Sequence, residues 1–209
     1  MDAFKVVRDF EQALCDYTGA KYAVTVNSCT MALLLACKWN LRGQVGLEPV
    51  DIKIPKHTYV GVPMSIIHAG GHPVFEDHAT WQGEYRLLPL PVYDSARLFT
   101  SGMYRPGMMQ CVSFHWSKTL GIQQGGAILH DNPEADEWLR RARFDGRKEG
   151  VHPKDDHGLI IGYHCYMSPE VAAEGLVRLS HLPRHNAPLP WGPGTNSDYP
   201  DLSKLECFK

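Results

Sequence analysis

Lys118 is the residue of this sequence best suited to covalent chemistry. Apolar and polar residues alternate over 112–116, which predicts a β-strand that ends just before the lysine. Glycines up to Gly126 predict a small, flexible turn, and the apolar run 127–129 predicts a returning strand. Burial favours a neutral lysine amine, and only the neutral amine attacks an aldehyde to form a Schiff base. A surface lysine in a β-hairpin explains this stretch equally well, so other segments must decide between the two interpretations.

A polar turn at 27–30 is the second candidate for chemistry. The preceding residues 22–26 predict a short strand, and 31–39 predict an apolar helix. A strand, a small polar turn and a helix together present free backbone N–H groups to a phosphate. Ser and Thr also cap helices that bind no ligand, so this signal alone is weak.

Composition narrows the class of protein. The chain has 209 residues, of which 44% are hydrophobic and 21% charged, with a formal net charge of -2. These values are typical of one globular domain, with or without an appendage, and give no reason to expect nucleic acid or an anionic membrane as partner. The first ten residues carry dispersed charges, unlike a signal peptide, and no apolar run approaches the length of a membrane span.

The cysteine pattern indicates a reducing compartment. Six cysteines occur without a C-x-x-C pair, which argues against a zinc ribbon or a thioredoxin-like site. Cys29, Cys37 and Cys111 lie in apolar runs, where reduced and buried thiols are expected. We therefore expect a cytoplasmic protein. The histidines after residue 150 lack the spacing of a metal site, so no metal is expected.

The remaining elements must position Lys118 and the polar turn. Helical spacing from Phe4 to Leu14, followed by strands that alternate with helices, predicts a parallel sheet with helices on its faces. Between Asp77 and Asp94 there is room for one strand and a loop, without the crossover helix that a parallel neighbour requires. That strand, 87–93, contains two prolines, so it should lie at a sheet edge or break in two.

The last 26 residues differ from the rest of the chain. Prolines and glycines without an apolar period predict an extended tail over 184–209, after a domain that covers 1–183. Upstream of it, the helix expected after Asn132 and the residues that follow it carry a basic cluster of Arg140, Arg141, Arg143, Arg147 and Lys148, which a solvated helix face explains better than a phosphate site does.

Three motifs resemble one known family. They are S-F-H-W-S-K-T-L-G around Lys118, G-A-K-Y-A-V-T-V-N-S-C-T-M-A-L through the polar turn, and M-S-P-E-V-A-A-E-G-L-V-R-L near the end of the domain. In this order they resemble the DegT/DnrJ/EryC1/StrS family of pyridoxal-phosphate sugar aminotransferases, over roughly Phe4 to Leu182. The resemblance implies the large domain of a fold-type-I, aspartate aminotransferase-like transferase: a mostly parallel sheet flanked by helices, here without one βα unit and without the small C-terminal domain.

The resemblance also implies roles at the reactive end of the cofactor. Lys118 would hold pyridoxal phosphate and move the proton, and Asp94 would pair with the nitrogen of the pyridine ring and make the cofactor an electron sink. Arg97 occupies the place of a Gln or His near the phenolic oxygen of the cofactor. Arginine can donate the same hydrogen bond, but it adds a charge that lowers the pKa of the Schiff base.

Further residues are assigned by the same resemblance. Ser113 and the turn of Ser28, Cys29 and Thr30 would bind the cofactor phosphate. Tyr59 stands where relatives stack an aromatic ring on the pyridine, although core packing at a helix start also explains it.

The resemblance also implies a homodimer in which the two subunits share the active site. In relatives a loop crosses to the partner subunit, where an Asn reaches the cofactor phosphate, and His164 takes that place here. An imidazole N–H can donate to a phosphate oxygen, although packing within the loop also explains His164.

The implied reaction is the transfer of an amino group from glutamate to a keto-sugar linked to a nucleotide. The competing hypothesis is a shortened homologue that binds the cofactor, or only dimerises, without transaminating, because a missing small domain removes part of the wall that excludes water. An unrelated α/β binding module is a third alternative.

Overall fold

The computed structural model describes residues 2–44, 46–77, 81–190, 192 and 198–208. Five α-helices and seven β-strands occur in these residues, together with three short 3-10 turns at 153–155, 202–204 and 206–208. In chain order they are α1 (Lys5–Thr18), β1 (Tyr22–Val26), α2 (Cys29–Leu41), β2 (Asp51–Pro55), α3 (Gly61–Ala69), β3 (His72–Glu76), β4 (Tyr85–Arg86), β5 (Val92–Asp94), β6 (Met109–Ser113), β7 (Gly126–His130), α4 (Pro133–Ala142) and α5 (Pro169–His181).

The main sheet is mixed rather than mostly parallel. Its strand order is β1-β7-β6-β5-β4, and a second sheet pairs β2 with β3. Within the described residues, only β5–β6 and β2–β3 are parallel pairs. The expected mostly parallel sheet is therefore corrected. β7 returns antiparallel to β6 through residues 114–125, which contain no helix, and the shortened connection between Asp77 and Asp94 places β4 antiparallel to β5.

The shortened connection joins the two sheets. Leu88 and Lys53 each donate a backbone N–H to the carbonyl of the other residue, at 3.2 and 2.8 Å. The described residues between 81 and 94 contain β4 and β5 and no helix, as the sequence predicts, while 78–80 lie outside the described residues. The strand predicted over 87–93 forms only at its end, as β5, because Pro89 and Pro91 interrupt it, and β4 lies just before it at the edge of the main sheet.

Strand β6 ends earlier than its alternation predicts. Every residue of β6 is buried, so its burial does not alternate, because the strand lies in the middle of the sheet between β5 and β7. The strand stops at Ser113, and Trp116 lies in the turn with 70% of its surface exposed. The prediction that 112–116 is one strand is therefore wrong for its last three residues. The returning strand is confirmed as β7.

Helix α1 covers one face of the sheet, as its spacing predicts. Val7, Phe10 and Leu14 are buried, and Gly19 ends the helix in the left-handed conformation with φ at 83°. Helix α5 packs against α1 at Gly175, where a Cβ would come within 2.6 Å of the Phe10 ring. No helix in the described part of the chain is long and apolar enough to span a membrane.

The described part of the tail folds back onto the domain and is not extended throughout. Its residues form the two 3-10 turns at 202–204 and 206–208. Leu202 is fully buried, and its backbone N–H donates to the carbonyl of Lys56 at 3.0 Å. Nearer the domain, the Tyr17 hydroxyl donates to the carbonyl of Pro183 at 2.6 Å.

Candidate active site

A cavity of about 390 Å³ lies at one edge of the main sheet. Strands β1, β5 and β6 run in the same direction, and their carboxyl ends meet there, which is where open α/β sheets bind ligands. The lining includes nearly all the residues that the sequence nominates: Ser28, Cys29, Thr30, Tyr59, Asp94, Arg97, Ser113 and Lys118. His164 is the one nominated residue outside this lining.

The polar turn forms the N-terminal end of helix α2. Ser28 is the N-cap, and its hydroxyl accepts a hydrogen bond from the N–H of Met31 at 3.2 Å. Among the described residues, the backbone N–H groups of Cys29 and Thr30 have no acceptor. Two free N–H groups at the positive end of a 13-residue helix can bind a phosphate.

Gly126 allows the turn to approach β6. A Cβ at this position would lie 2.6 Å from the backbone nitrogen of Cys29 and 2.8 Å from the carbonyl oxygen of Val112. Gly126 is also the register partner of Ser113, so the Ser113 side chain is held beside the same turn. Ser113 and the turn of Ser28, Cys29 and Thr30 therefore line the same cavity.

Lys118 lies in the turn after β6, half-buried, with its backbone N–H bonded to the carbonyl of His115 at 2.8 Å. Burial lowers the pKa of its amine below the usual range, and the charge of Arg97 lowers it further. Asp94 and Cys29 act in the opposite direction without reversing the shift. A larger fraction of the amine is therefore neutral at a given pH, as attack on an aldehyde requires.

Asp94, at the end of β5, is buried and hydrogen-bonded. Burial raises the pKa of its carboxyl group above the ordinary value. The N–H of Ala96 donates to Oδ1 at 3.0 Å and the Tyr85 hydroxyl donates to Oδ2 at 2.9 Å, which partly opposes the shift. A buried carboxylate with a raised pKa gains from a cationic partner in the cavity, such as a protonated pyridine nitrogen.

Tyr85 extends this network away from the cavity. Its hydroxyl lies 2.6 Å from Thr58 Oγ1, so the chain of hydrogen bonds runs from Thr58 through Tyr85 to Asp94. Burial and the neighbouring Asp94 carboxylate raise the pKa of Tyr85 well above its ordinary value. Tyr85 therefore stays protonated and can donate to Asp94 throughout the neutral range.

Arg97 lines the cavity but is also bound by the tail. Its Nε donates to the carbonyl of Leu189 at 3.2 Å, and a second guanidinium nitrogen donates to the carbonyl of Pro190. The side chain is 7% exposed. Its charge lowers the pKa of the Lys118 amine. The expected lowering of the Schiff base pKa and the hydrogen bond to a cofactor oxygen stay predictions.

These residues fit pyridoxal phosphate. The cavity volume lies in the range of small-molecule sites. An amine with a lowered pKa, a buried carboxylate and a helix N-terminus with two free N–H groups match an aldehyde, a pyridine nitrogen and a phosphate, respectively. Tyr59 is 54% exposed, so it is not core packing, and its ring lines the cavity.

Comparison with known proteins decides the family. The model of the DegT/DnrJ/EryC1/StrS aminotransferase family matches residues 2–85 and 103–188. The chain belongs to this family. The unmatched segment 86–102 contains Asp94 and Arg97, so the structural support for these two residues is their place in the same cavity as Lys118.

Three similar proteins match parts of this chain and only part of their own length. The spore coat polysaccharide biosynthesis protein SpsC of Bacillus subtilis is 43% identical over 72 residues, which is 34% of this chain and 17% of that protein. A UDP-4-amino-4,6-dideoxy-N-acetyl-β-L-altrosamine transaminase of Campylobacter jejuni is 24% identical over 85% of this chain and 57% of its own length. The structure of Helicobacter pylori PseC, an aminotransferase of pseudoaminic acid biosynthesis, matches with a TM-score of 0.70 and 20% identity, over 85% of this chain and 58% of that one.

The fold is therefore that of fold-type-I PLP-dependent aminotransferases. The chain spans little more than half the length of the transaminase and of PseC. Other matched structures are of a PLP-form and of a complex with the cofactor PMP, so pyridoxal phosphate is the cofactor of these relatives.

His164 lies in a smaller hollow beside the main cavity. The two share Asn27, Gln124 and Gly125. The His164 side chain is 71% exposed, and its Nδ1 lies 2.9 Å from a carboxylate oxygen of Asp145. Its predicted contact with a partner's cofactor stays a prediction.

The basic cluster is structural and is not a solvated face. Arg143 is buried and bonds to Glu11 Oε1, while Arg140 bonds to Glu11 Oε2 at 2.6 Å. Arg141 pairs with Asp156 at 3.0 Å. The prediction of a solvated helix face is wrong for these three arginines, because carboxylates from distant segments neutralise them. No group of His, Cys, Asp or Glu side chains in the described residues could hold a metal ion.

Some residues of the cavity were not foreseen. Tyr85 supports Asp94 from the shortened connection, where the family match ends and no motif could be followed. Trp81 and Tyr199 also line the cavity. Tyr199 comes from the tail, which the sequence predicted to be extended. Contacts between distant segments bring these residues to the site, so no local sequence pattern indicates them.

Proposed function

We propose that this chain is a pyridoxal-phosphate-dependent aminotransferase that passes an amino group from glutamate to a nucleotide-linked keto-sugar. The observation that carries the proposal is one cavity that combines Lys118, with its lowered amine pKa, the buried carboxylate of Asp94 and the free N–H groups of Cys29 and Thr30. Family membership supports the reaction class.

The cofactor, when bound, supplies an aldehyde carbon for amine exchange and a ring that withdraws electrons. Lys118 would hold the cofactor through its neutral amine, and the same amine, when free, would take and return a proton at the substrate carbon. Asp94 keeps the ring nitrogen protonated, because a buried carboxylate is stabilised by that positive charge.

The other residues hold the cofactor in place. The N–H groups of Cys29 and Thr30 donate to the phosphate, and the hydroxyl of Ser113 lies beside them. Burial raises the pKa of the Cys29 thiol well above its ordinary value, so no thiolate repels the phosphate. Tyr59 offers an exposed ring face to the pyridine.

A nucleotide-linked sugar is proposed as amino acceptor because of the relatives. The Campylobacter jejuni protein is named as a transaminase of a UDP-linked amino sugar, and PseC is described as an enzyme of pseudoaminic acid biosynthesis. Glutamate as donor follows from the family resemblance.

We also propose a cytoplasmic homodimer. The six cysteines are free, and three of them are buried, which suits a reducing compartment. Exposed apolar side chains at Leu159 and Ile161, which are 59% and 90% exposed, lie in the segment that leads to His164 and would be covered by a second copy.

A second candidate function is cofactor binding or dimerisation without amino transfer. The observation in its favour is that the family model does not match 86–102, the segment that contains Asp94 and Arg97.

One experiment separates the two functions. The purified protein is loaded with pyridoxal phosphate and then given glutamate, with visible absorption as the readout. Conversion to pyridoxamine phosphate, with 2-oxoglutarate formed in equal amount, supports the aminotransferase. A stable imine spectrum with glutamate and every other common amino donor supports binding without transfer.

A further inference from the structure

His115 lies in the same turn as Lys118 and lines the same cavity. The backbone N–H of Lys118 donates to the carbonyl of His115 at 2.8 Å, which closes a turn directly after β6. The backbone N–H of His115 donates to Ser113 Oγ at 3.4 Å. The imidazole therefore belongs to the segment that presents the reactive lysine and the hydroxyl assigned to the phosphate, yet the proposed reaction gives it no role.

The two ring nitrogens of His115 have different surroundings. Nδ1 accepts a hydrogen bond from the backbone N–H of Ser117 at 3.4 Å and lies 2.9 Å from Ser117 Oγ. A nitrogen that accepts carries no proton, so the neutral imidazole has its proton on Nε2. When the ring is protonated, Nδ1 can donate to Ser117 Oγ instead. Nε2 has no partner among the described residues, so in both charge states it can donate to a ligand.

A carboxylate substrate needs a cation in this cavity. Asp94 already places a carboxylate there, and the cofactor adds a phosphate when it is bound. A further carboxylate in the same partly buried space is repelled unless a positive group compensates its charge. Within the described lining, the side chains that can carry positive charge are those of Arg97, His115 and Lys118.

Two of these three side chains are engaged elsewhere. The guanidinium of Arg97 donates to the carbonyls of Leu189 and Pro190. Lys118 is assigned to the cofactor aldehyde. His115 is therefore the lining residue that can meet an incoming carboxylate with both a hydrogen bond and a positive charge.

We propose that His115 binds a carboxylate of the amino donor through Nε2 and so favours an amino acid over an uncharged amine as donor. This inference rests on the proposed function, which names glutamate as the donor. The turn fixes the backbone of His115 relative to that of Lys118. The contact therefore orients the amine of the donor towards the place where the lysine holds the cofactor.

The test uses the full-length protein loaded with pyridoxal phosphate, and glutarate as the probe. Glutarate has the two carboxylates of glutamate but no amine, so its binding reports carboxylate recognition without amino transfer. His115→Asn is the informative variant, because its side-chain oxygen can still accept from the N–H of Ser117 while Nε2 is lost. His152→Asn is the matched control, because Nδ1 of His152 also accepts from a backbone N–H two residues later, at 3.3 Å, outside this cavity.

Calorimetric titration measures the dissociation constant of glutarate, and equilibrium dialysis measures that of the cofactor. We expect the dissociation constant of glutarate to rise about 10- to 100-fold in His115→Asn, as for the loss of one hydrogen bond to a charged group. Cofactor affinity should be unchanged in both variants, and glutarate affinity should be unchanged in His152→Asn. With glutamate, the concentration that gives half-maximal conversion of the cofactor should rise by a similar factor in His115→Asn, at an unchanged limiting rate.

The outcomes that would overturn the inference differ from one another. If His115→Asn binds glutarate as tightly as the wild-type protein, or His152→Asn loses as much affinity, then His115 serves only its turn. If the wild-type protein binds the cofactor but no glutarate, the inference fails, and conversion of glutamate decides the proposed function separately. If the wild-type protein takes up no cofactor, both the proposed function and this inference fail.

Discussion

The hydroxyl of Tyr85 donates a 2.9 Å hydrogen bond to the carboxylate of Asp94, the residue that we assign to the pyridine nitrogen. Tyr85 belongs to β4, in the shortened connection, and it also lies 2.6 Å from Thr58 Oγ1. The shortened connection, whose described residues contain no helix, thus supports the carboxylate that the proposed reaction requires.

Asp94→Asn should stabilise the cofactor-free protein while removing most of the amino transfer. Burial raises the pKa of Asp94, so the folded state binds this proton more tightly than the unfolded chain does. Ionisation therefore reduces stability as pH rises from about 3.9, the unfolded value, through the folded pKa. An asparagine does not ionise. The Tyr85 hydroxyl can donate its hydrogen to Thr58 instead and accept a hydrogen bond from the side-chain amide of the asparagine.

Thermal unfolding without cofactor measures this effect. At pH 8 the melting temperature of Asp94→Asn should exceed that of the wild-type protein by a few degrees, on the order expected for about 1 kcal/mol in a chain of this size. The difference should vanish below about pH 3.9. A variant that is less stable at pH 8 would show that Asp94 stabilises the fold as a carboxylate.

Glu11→Gln should destabilise the protein strongly at neutral pH. Burial alone would raise the pKa of Glu11, but Arg143 and Arg140 reverse this, and the pKa is lowered. The carboxylate therefore stabilises the fold above its unfolded pKa of about 4.3, and this stability is lost as pH falls through the lower folded value. Breaking a buried pair on one side costs about 3–5 kcal/mol.

Urea unfolding at pH 7 and at acid pH checks this prediction. Glu48→Gln is the matched control, because Glu48 is exposed, and its effect should stay within about 0.5 kcal/mol. A loss for Glu11→Gln that is as small as the control's, or that grows as the pH falls, would contradict the account.

Mixing two inactive variants tests the shared site. Lys118→Ala lacks the amine and His164→Ala lacks the imidazole, so a mixed dimer carries one site with both residues intact. Cofactor binding by the mixture should exceed that of either parent. His181→Ala, which changes another exposed histidine, should bind normally on its own. A monomer by light scattering, or no gain on mixing, would count against the shared site.

The sequence predicts the local features of this protein well. Gly19 ends α1 and the polar turn precedes α2 as expected, because caps and turns depend on a few neighbouring residues. The motif around Lys118 placed the lysine in the turn between β6 and β7. These signals were sufficient to nominate most of the cavity.

Features that depend on distant contacts could not be predicted. The burial of Glu11 requires Arg140 and Arg143, which lie more than a hundred residues away. β4 is antiparallel to β5, and the tail returns to Arg97. Both features depend on contacts between distant segments, which local sequence patterns do not indicate.

The central claim is that Lys118 holds pyridoxal phosphate, and borohydride reduction followed by peptide mapping tests it directly. The protein is incubated with the cofactor, reduced and digested, and Lys118→Arg and Lys154→Arg serve as the site variant and the exposed control. We expect the label on the peptide that contains Lys118, its loss in Lys118→Arg and its retention in Lys154→Arg. Label on another lysine, or no label on the wild-type protein, would contradict the account.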